Sequence, residues 1–181
     1  MQGKDYTILL FKHMSWADAK VWDTVLGNNQ AAGEKKIKEL LYHLHLVQRA
    51  FFRIWKNEPA NVPQESSFKN LYELANWGYE YHKRLSQFLT EIPSLDQDLI
   101  IEIPWTKRAE AFMGRKAEPV TLGETMLQAI MHSTYHRGQI NIKLREIGGE
   151  PVPVDFIMWL YLGKPDAEWR ADIQDMQVFS K

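Results

Sequence analysis

Two histidines stand four residues apart in the segment His132-Ser-Thr-Tyr-His136-Arg-Gly-Gln-Ile140. If this segment is helical, four residues advance the chain by about 6 Å and leave both imidazoles on nearly the same bearing. Both rings can then reach one point, and imidazole nitrogens are common ligands of transition metals. The spacing therefore predicts a metal site that needs at least one further ligand from another part of the chain.

The third ligand is expected from the second predicted helix, where His43 and His45 compete for the role. His43 lies on the apolar stripe of that helix, with Val47 and Phe51 four and eight residues later, whereas arginines stand at the same offsets from His45. We favour His43 and keep His45 as the alternative. Three imidazoles without a fourth protein ligand describe an open site, which keeps a coordination position for water or substrate.

Two established metal chemistries do not match the sequence. Carboxylate diiron bundles need Glu-x-x-His on two helices, and no histidine here has a glutamate three residues before it. Zincins place a general-base glutamate after the first histidine, whereas Ser133 follows His132. His82 is predicted to be a satisfied core histidine, with a role beside the metal as the alternative. Glu39, one turn before His43, either orients a ligand imidazole or is a solvated charge.

Apolar residues at helical spacing predict four long helices that position these side chains. The predicted helices extend from about Asp5 to Leu26, from about Ile37 to near Asn57, from Leu71 to Ile92, and from the capping-box residue Thr121 to Gly148. On the fourth helix His132, His136 and Ile140 are expected on the buried face, whereas Arg137 and Gln139 are expected toward the sides or the solvent. A short helix is predicted at Phe156–Leu162, with Asp155 as its cap.

The connections complete the predicted fold. Pro59 and Pro63 prevent a helix between the second and third helices, and an extended segment there is long enough to let these helices run parallel. The β-branched stretch 99–103 and the turn signal at Gly114 predict a β-hairpin-like insertion. The expected fold class is all-α: a four-helix bundle with a crossover between helices two and three and a small β-hairpin-like insertion before helix four. We expect one domain over residues 1–181.

Composition limits the function classes. The 22 basic and 23 acidic residues nearly balance, so neither nucleic acid nor an anionic membrane is an expected partner. The absence of cysteine excludes disulfides and a protein thiol nucleophile, so any thiol chemistry must use an external thiol. No segment has the pattern of a signal peptide or a membrane span, which predicts a soluble, cytoplasmic protein.

Four features are combined in this chain: the His43-containing stripe of helix two, the insertion, the capping box at Thr121, and above all His132-x-x-x-His136-Arg-Gly-Gln. Together they resemble the DinB-like (DinB/YfiT) family of metalloenzymes over nearly the whole chain. The resemblance implies a divalent metal, held by one histidine of helix two and two of helix four, which match His43, His132 and His136. It also implies frequent homodimerisation and, for some members, metal-dependent transfer or isomerisation with a low-molecular-weight thiol.

The functional hypothesis is therefore a divalent-metal-binding protein that acts as a thiol-dependent transferase on small electrophiles. The resemblance implies zinc or nickel as the ion, with iron and manganese as alternatives. A metal-dependent hydrolase remains open as a second enzymatic hypothesis. A non-catalytic metal-binding or partner-binding bundle remains open as well, because no general base is recognisable beside the ligands.

Overall fold

The computed structural model describes residues 3–176, and this part of the chain is mainly helical. Its four long helices are α1 (Gly3–Leu26), α3 (Lys35–Trp55), α4 (Leu71–Phe88) and α6 (Leu122–Glu146). The shorter elements are α2 (Asn29–Gly33), β1 (Ile100–Ile101), α5 (Thr106–Met113), β2 (Val120–Thr121), α7 (Phe156–Tyr161) and α8 (Ala171–Gln174). The four predicted long helices are all present, whereas α2, α5 and α8 were not predicted.

The capping box predicted at the start of α6 is confirmed. The Thr121 hydroxyl accepts a hydrogen bond from the Glu124 backbone N–H at 3.2 Å, and the Glu124 carboxylate accepts one from the Thr121 N–H at 2.7 Å. These bonds satisfy donors that the first helical turn leaves without a partner. The start of the helix that carries His132 and His136 is therefore fixed locally.

Contacts between helices define their directions. Tyr42 on α3 stacks on Trp77 of α4, with ring centroids 6.1 Å apart. Later in both segments, Lys56 lies 2.9 Å from Glu91. Early residues of α3 thus contact early residues of α4, and later residues contact later ones, so the two helices run in the same direction. Residues 56–70 therefore lead from the end of α3 back to the level at which α3 begins. Contacts between α3 and α6 run in the opposite order, so these two helices are antiparallel.

The core contains two large apolar clusters that share the same four helices, and a third, smaller one around Trp16 and Trp159. One cluster contains Val25, Leu41, Leu74 and Leu144, and the other contains Phe11, Phe52, Leu85 and Met126. Between them lies a layer of buried polar side chains, formed by Asp18, His45, Gln48, His82, Ser133 and Arg137. Burial of polar groups is costly unless they are hydrogen-bonded, so the partners within this layer decide its role.

The prediction that Arg137 lies toward the sides or the solvent was wrong. Arg137 is only 2% exposed, and its guanidinium donates to the Asp18 carboxylate at 2.6 Å. The partner is a charge on α1, 119 residues away in sequence, which the periodicity of α6 alone does not reveal. Gln139 is only partly buried, in line with its expected position at the side of the helix.

The insertion before α6 contains the expected β-structure in a different form. β1 and β2 pair antiparallel, with Ile100 opposite Thr121 and Ile101 opposite Val120, but α5 lies between them. Gly114 adopts φ 69° and ends α5, since its N–H bonds to the carbonyl of Glu110 at 2.8 Å. The turn predicted at Gly114 is present, but it ends a helix and does not join the two strands directly, because glycine here provides the left-handed residue of a helix C-terminus.

The short helix α7 begins at the predicted residue and ends at Tyr161, one residue before the predicted end. Asp155 occupies its N-cap position, although its side chain makes no capping hydrogen bond. Among the helices of residues 3–176, none combines the length and the apolar character that a membrane crossing requires.

Candidate metal centre

Three histidines from two helices converge at one point on the surface of the helical core. His43 on α3 has its ring centroid 5.1 Å from that of His132 and 4.7 Å from that of His136, both on α6. The His132 and His136 centroids are 4.3 Å apart. One ring nitrogen of each residue lies within 4.8 Å of one nitrogen of the other two, a spacing suited to a single metal ion.

The antiparallel arrangement of α3 and α6 produces this convergence. Lys143 lies 4.0 Å from Glu34 near one end of the pair, and the Trp55 indole donates to the Thr125 hydroxyl at 3.0 Å near the other. His43 therefore falls between these contacts, opposite the middle of α6. The i,i+4 spacing on α6 then places both of its imidazoles on the side that faces His43.

The hydrogen bonds of the three rings suit a ligand role. His132 Nε2 is buried and has no hydrogen-bond partner among the described residues. His136 Nδ1 donates to Gln139 Oε1 at 2.7 Å, which leaves the lone pair on Nε2. An unpartnered buried nitrogen is costly, and a metal ion would satisfy it together with the oriented Nε2 of His136.

The surroundings of the three imidazole rings favour their neutral form. Burial, reinforced by the neighbouring His136 and His43, lowers the pKa of His132 to about 4. Burial likewise lowers the pKa of His43 and His136, and the Lys36 ammonium adds to the effect at both. Neutral imidazoles are the form that binds metals, so these ligands need not lose a proton at neutral pH.

The structure separates His45 from His43. His45 is fully buried, its Nδ1 donates to Gln48 Oε1 at 2.7 Å, and its Nε2 accepts from the Trp22 indole at 2.8 Å. Both ring nitrogens are thus occupied, and no lone pair remains for a metal. Glycine at position 78 makes room for this ring, because a Cβ there would lie 2.4 Å from His45 Nε2.

His43 and His136 open into a cavity of about 650 Å³. Its lining carries two lysines and two glutamates beside apolar and amide side chains: Lys36, Glu39, Leu40, Gln139, Ile142, Lys143 and Glu146. Glu39, for which a solvated charge was favoured over a role in orienting the ligand imidazole, pairs with Lys36 at 3.3 Å. The imidazoles of His43 and His136 are therefore reachable by a small polar molecule.

A second group, Asp18, His45 and His82, also has ligand atoms close enough for an ion. His82 is buried, as predicted for a core histidine, with Nε2 bonded to Asp18 at 2.9 Å and Nδ1 bonded to Ser15 at 2.8 Å. Asp18 also accepts from Gln48 at 2.7 Å. Hydrogen bonds thus account for every ring nitrogen, and the group is a polar network within the core.

Sequence reasoning missed the charged part of this network. Asp18 lies in the apolar stripe of α1, between the buried residues Met14 and Val21, and is 2% exposed. An acidic residue on an otherwise apolar helix face is the signal that could have identified it, since a buried carboxylate requires a cation or several donors.

Comparisons with known proteins agree with these observations. The profile of the DinB family matches residues 1–170. Protein DinB of Bacillus subtilis (strain 168) is 19% identical over 177 residues, an alignment that covers 90% of this chain and 98% of that protein. The match extends from α1 through α7 and includes all three converging histidines. The chain therefore belongs to the DinB family.

Proposed function

We propose that this chain is a divalent-metal-dependent enzyme of the thiol-dependent transferase type, with His43, His132 and His136 as the metal ligands. The observation that carries the proposal is the buried His132 Nε2, which has no partner within residues 3–176 and lies where two other imidazoles converge. A three-imidazole donor set is suited to zinc or nickel, and iron or manganese is less favoured because they prefer more carboxylate oxygen.

The surrounding helices support a metal site that can bind an external ligand. We infer that α1, α3, α4 and α6 form a four-helix bundle with a crossover between α3 and α4, because α3 packs against α4 and α6, and α1 packs against the same two helices. Metal sites in such bundles are built from side chains on facing helices. In this bundle His43 and His136 line an open cavity, so a metal there would keep room for an external ligand.

A bound divalent ion with an open coordination position lowers the pKa of a thiol or water ligand and so provides a nucleophile near neutral pH. The thiol must come from a small molecule, because the chain has no cysteine. His136 is held by Gln139 in the tautomer that can bind the ion. Glu39 lines the same cavity and is the carboxylate proposed to accept the proton of the incoming thiol.

The proposal is tested by adding thiols to zinc- or nickel-loaded protein and measuring the shift of Tm. Bacillithiol, mycothiol, glutathione and coenzyme A are the thiols to screen, followed by transfer of the stabilising thiol to 1-chloro-2,4-dinitrobenzene. We expect one thiol to raise Tm only in the metal-loaded protein and to be transferred faster than in the uncatalysed reaction. Metal-dependent hydrolysis without any thiol would favour the hydrolase alternative, and metal binding without turnover would favour a non-catalytic role.

A matched pair of variants tests the proton acceptor. Glu39→Gln and Glu146→Gln change the same functional group on the same cavity. We expect Glu39→Gln to lower kcat by about 10²-fold while the metal content is retained, and Glu146→Gln to leave kcat unchanged. Equal effects of the two substitutions would argue against a specific role of Glu39.

A further inference from the structure

A second cavity, of about 570 Å³, lies between α1, α4 and the segment 165–169. It shares no lining residue with the cavity beside the three histidines. Apolar side chains, including Ile8, Leu89 and Trp169, form much of its wall. Its polar part includes Ser15 and His82, so the cavity reaches the polar layer of the core.

Ser15, His82 and Asp18 form a continuous hydrogen-bonded chain that begins in this cavity. The Ser15 hydroxyl lies 2.8 Å from His82 Nδ1, and His82 Nε2 lies 2.9 Å from Asp18 Oδ2. Because a carboxylate only accepts, His82 Nε2 carries the proton and Nδ1 accepts from the hydroxyl. A hydroxyl, a basic nitrogen and an orienting carboxylate thus stand in the order required to activate a nucleophile.

The Asp18 end of this hydrogen-bonded chain is buried and charged. Asp18 is 2% exposed, and Arg137 donates to its other oxygen at 2.6 Å. Burial raises the pKa of Asp18, but Arg137 and His82 outweigh it and hold that pKa well below its ordinary value. The carboxylate therefore stays ionised and fixes the orientation of the His82 ring.

We propose that Ser15 is the nucleophile of a second, metal-independent site that hydrolyses small esters of apolar carboxylic acids. Ser15 Oγ forms a bond to the carbonyl carbon while its proton passes to His82 Nδ1. The bond from that carbon to the alcohol oxygen then breaks, and the departing alcohol takes the proton from Nδ1. Water, deprotonated by the same nitrogen, cleaves the Ser15 ester, releasing the acid and restoring the hydroxyl.

The charges around the cavity fit this reaction. Lys12 lines it one turn before Ser15, and Lys83 lines it next to His82. Both lysines are exposed, Lys83 also pairs with Glu80 at 3.5 Å, and Asp166 is the acidic residue of the lining. The ammonium groups can stabilise the negative charge that develops on the carbonyl oxygen during attack. The apolar wall provides the contact area for the hydrocarbon part of the ester.

The test is covalent labelling of metal-free, full-length protein with an alkyl fluorophosphonate, read by intact mass and peptide mapping. We expect one adduct per chain, on Ser15. We also expect hydrolysis of p-nitrophenyl butyrate that persists in the presence of a chelator. Ser15→Ala should lose the adduct and lower kcat for the ester at least 10²-fold. Ser86→Ala is the control, because Ser86 lines the same cavity but already donates to the Lys83 carbonyl at 2.8 Å.

Labelling of the wild-type protein does not depend on how any variant folds. Absence of an adduct on Ser15, or equal labelling of Ser86, would overturn the proposal and leave the Ser15–His82 contact as a purely structural hydrogen bond. The chelator separates this site from the three histidines, so ester hydrolysis that disappears with the metal would also contradict it. Failure of the thiol-transfer proposal would leave the labelling result unaffected.

Discussion

Gln139 Oε1 lies 2.7 Å from His136 Nδ1, one turn further along α6. The amide fixes which ring nitrogen carries the proton, and so turns the Nε2 lone pair of His136 toward the position shared with His43 and His132. Partners of this kind orient a metal ligand without touching the ion. The relationship makes Gln139 part of the candidate centre although it is not a ligand.

Removing this amide should weaken metal binding. In Gln139→Ala we expect the Kd for zinc to rise about 10- to 100-fold, since the His136 ring loses its fixed tautomer and orientation. Competition with a chromophoric chelator measures the change. Gln128→Ala, an exposed glutamine on the same helix, is the matched control and should bind as the wild type does. An unchanged Kd in Gln139→Ala would contradict the assigned role.

The buried Asp18–Arg137 ion pair between α1 and α6 should contribute strongly to the free energy of unfolding. In Asp18→Asn the guanidinium of Arg137 remains buried without a counter-charge, which costs about 3–5 kcal/mol. Asp23→Asn alters an exposed carboxylate on the same helix, 3.7 Å from Arg170, and should cost less than about 1 kcal/mol. Urea denaturation of both variants measures the difference. Similar losses in the two proteins would refute the assignment of Arg137 to the core.

Two glycines provide a stringent test of the packing around His45. A Cβ at position 78 would lie 2.4 Å from His45 Nε2, whereas nothing lies within 4 Å of a Cβ at position 138. We expect Gly78→Ala to lower the free energy of unfolding by about 1–3 kcal/mol, because the ring is held on both sides and cannot retreat. Gly138→Ala should raise that free energy by about 0.5–1 kcal/mol, as alanine favours a helix. Thermal denaturation that ranks the two variants in the opposite order would contradict the packing.

The sequence predicted the parts of the fold that depend on local pattern. Periodicity identified the four long helices, and the i,i+4 spacing placed His132 and His136 together, because both signals lie within one helix. The residues that follow each histidine favoured His43 over His45. The reason that His45 is not a ligand is the hydrogen bond from the Trp22 indole to its Nε2, which the sequence does not show. Arg137 was misplaced because its partner Asp18 is on α1, 119 residues away, and the periodicity of α6 alone does not reveal that pair. The signal in the sequence was the acidic Asp18 on the apolar face of α1.

Stability should fall on the acid side of neutrality in the metal-free protein. Burial lowers the pKa of His45 to about 4, whereas an unfolded histidine titrates at 6.5. Below pH 6.5 the unfolded chain binds a proton that the folded state rejects, so the contribution is complete above pH 6.5 and is lost as the pH falls toward 4. We expect a loss of roughly 3 kcal/mol from this residue over that window. Chemical denaturation at pH 7.5, 6 and 5 measures it, and a free energy of unfolding that rises on acidification would contradict the burial of a neutral ring.

Metal content of protein purified without a histidine tag tests the central claim most directly. Elemental analysis after dialysis against zinc should find one ion per chain in the wild type, and less than about a tenth of that in His132→Ala. His13→Gln removes a buried imidazole that bonds to the Val154 carbonyl at 2.9 Å, away from the three ligands, and should retain full metal content. Circular dichroism confirms that each variant is folded. Full occupancy in His132→Ala, or no stoichiometric metal in the wild type, would contradict the three-histidine centre.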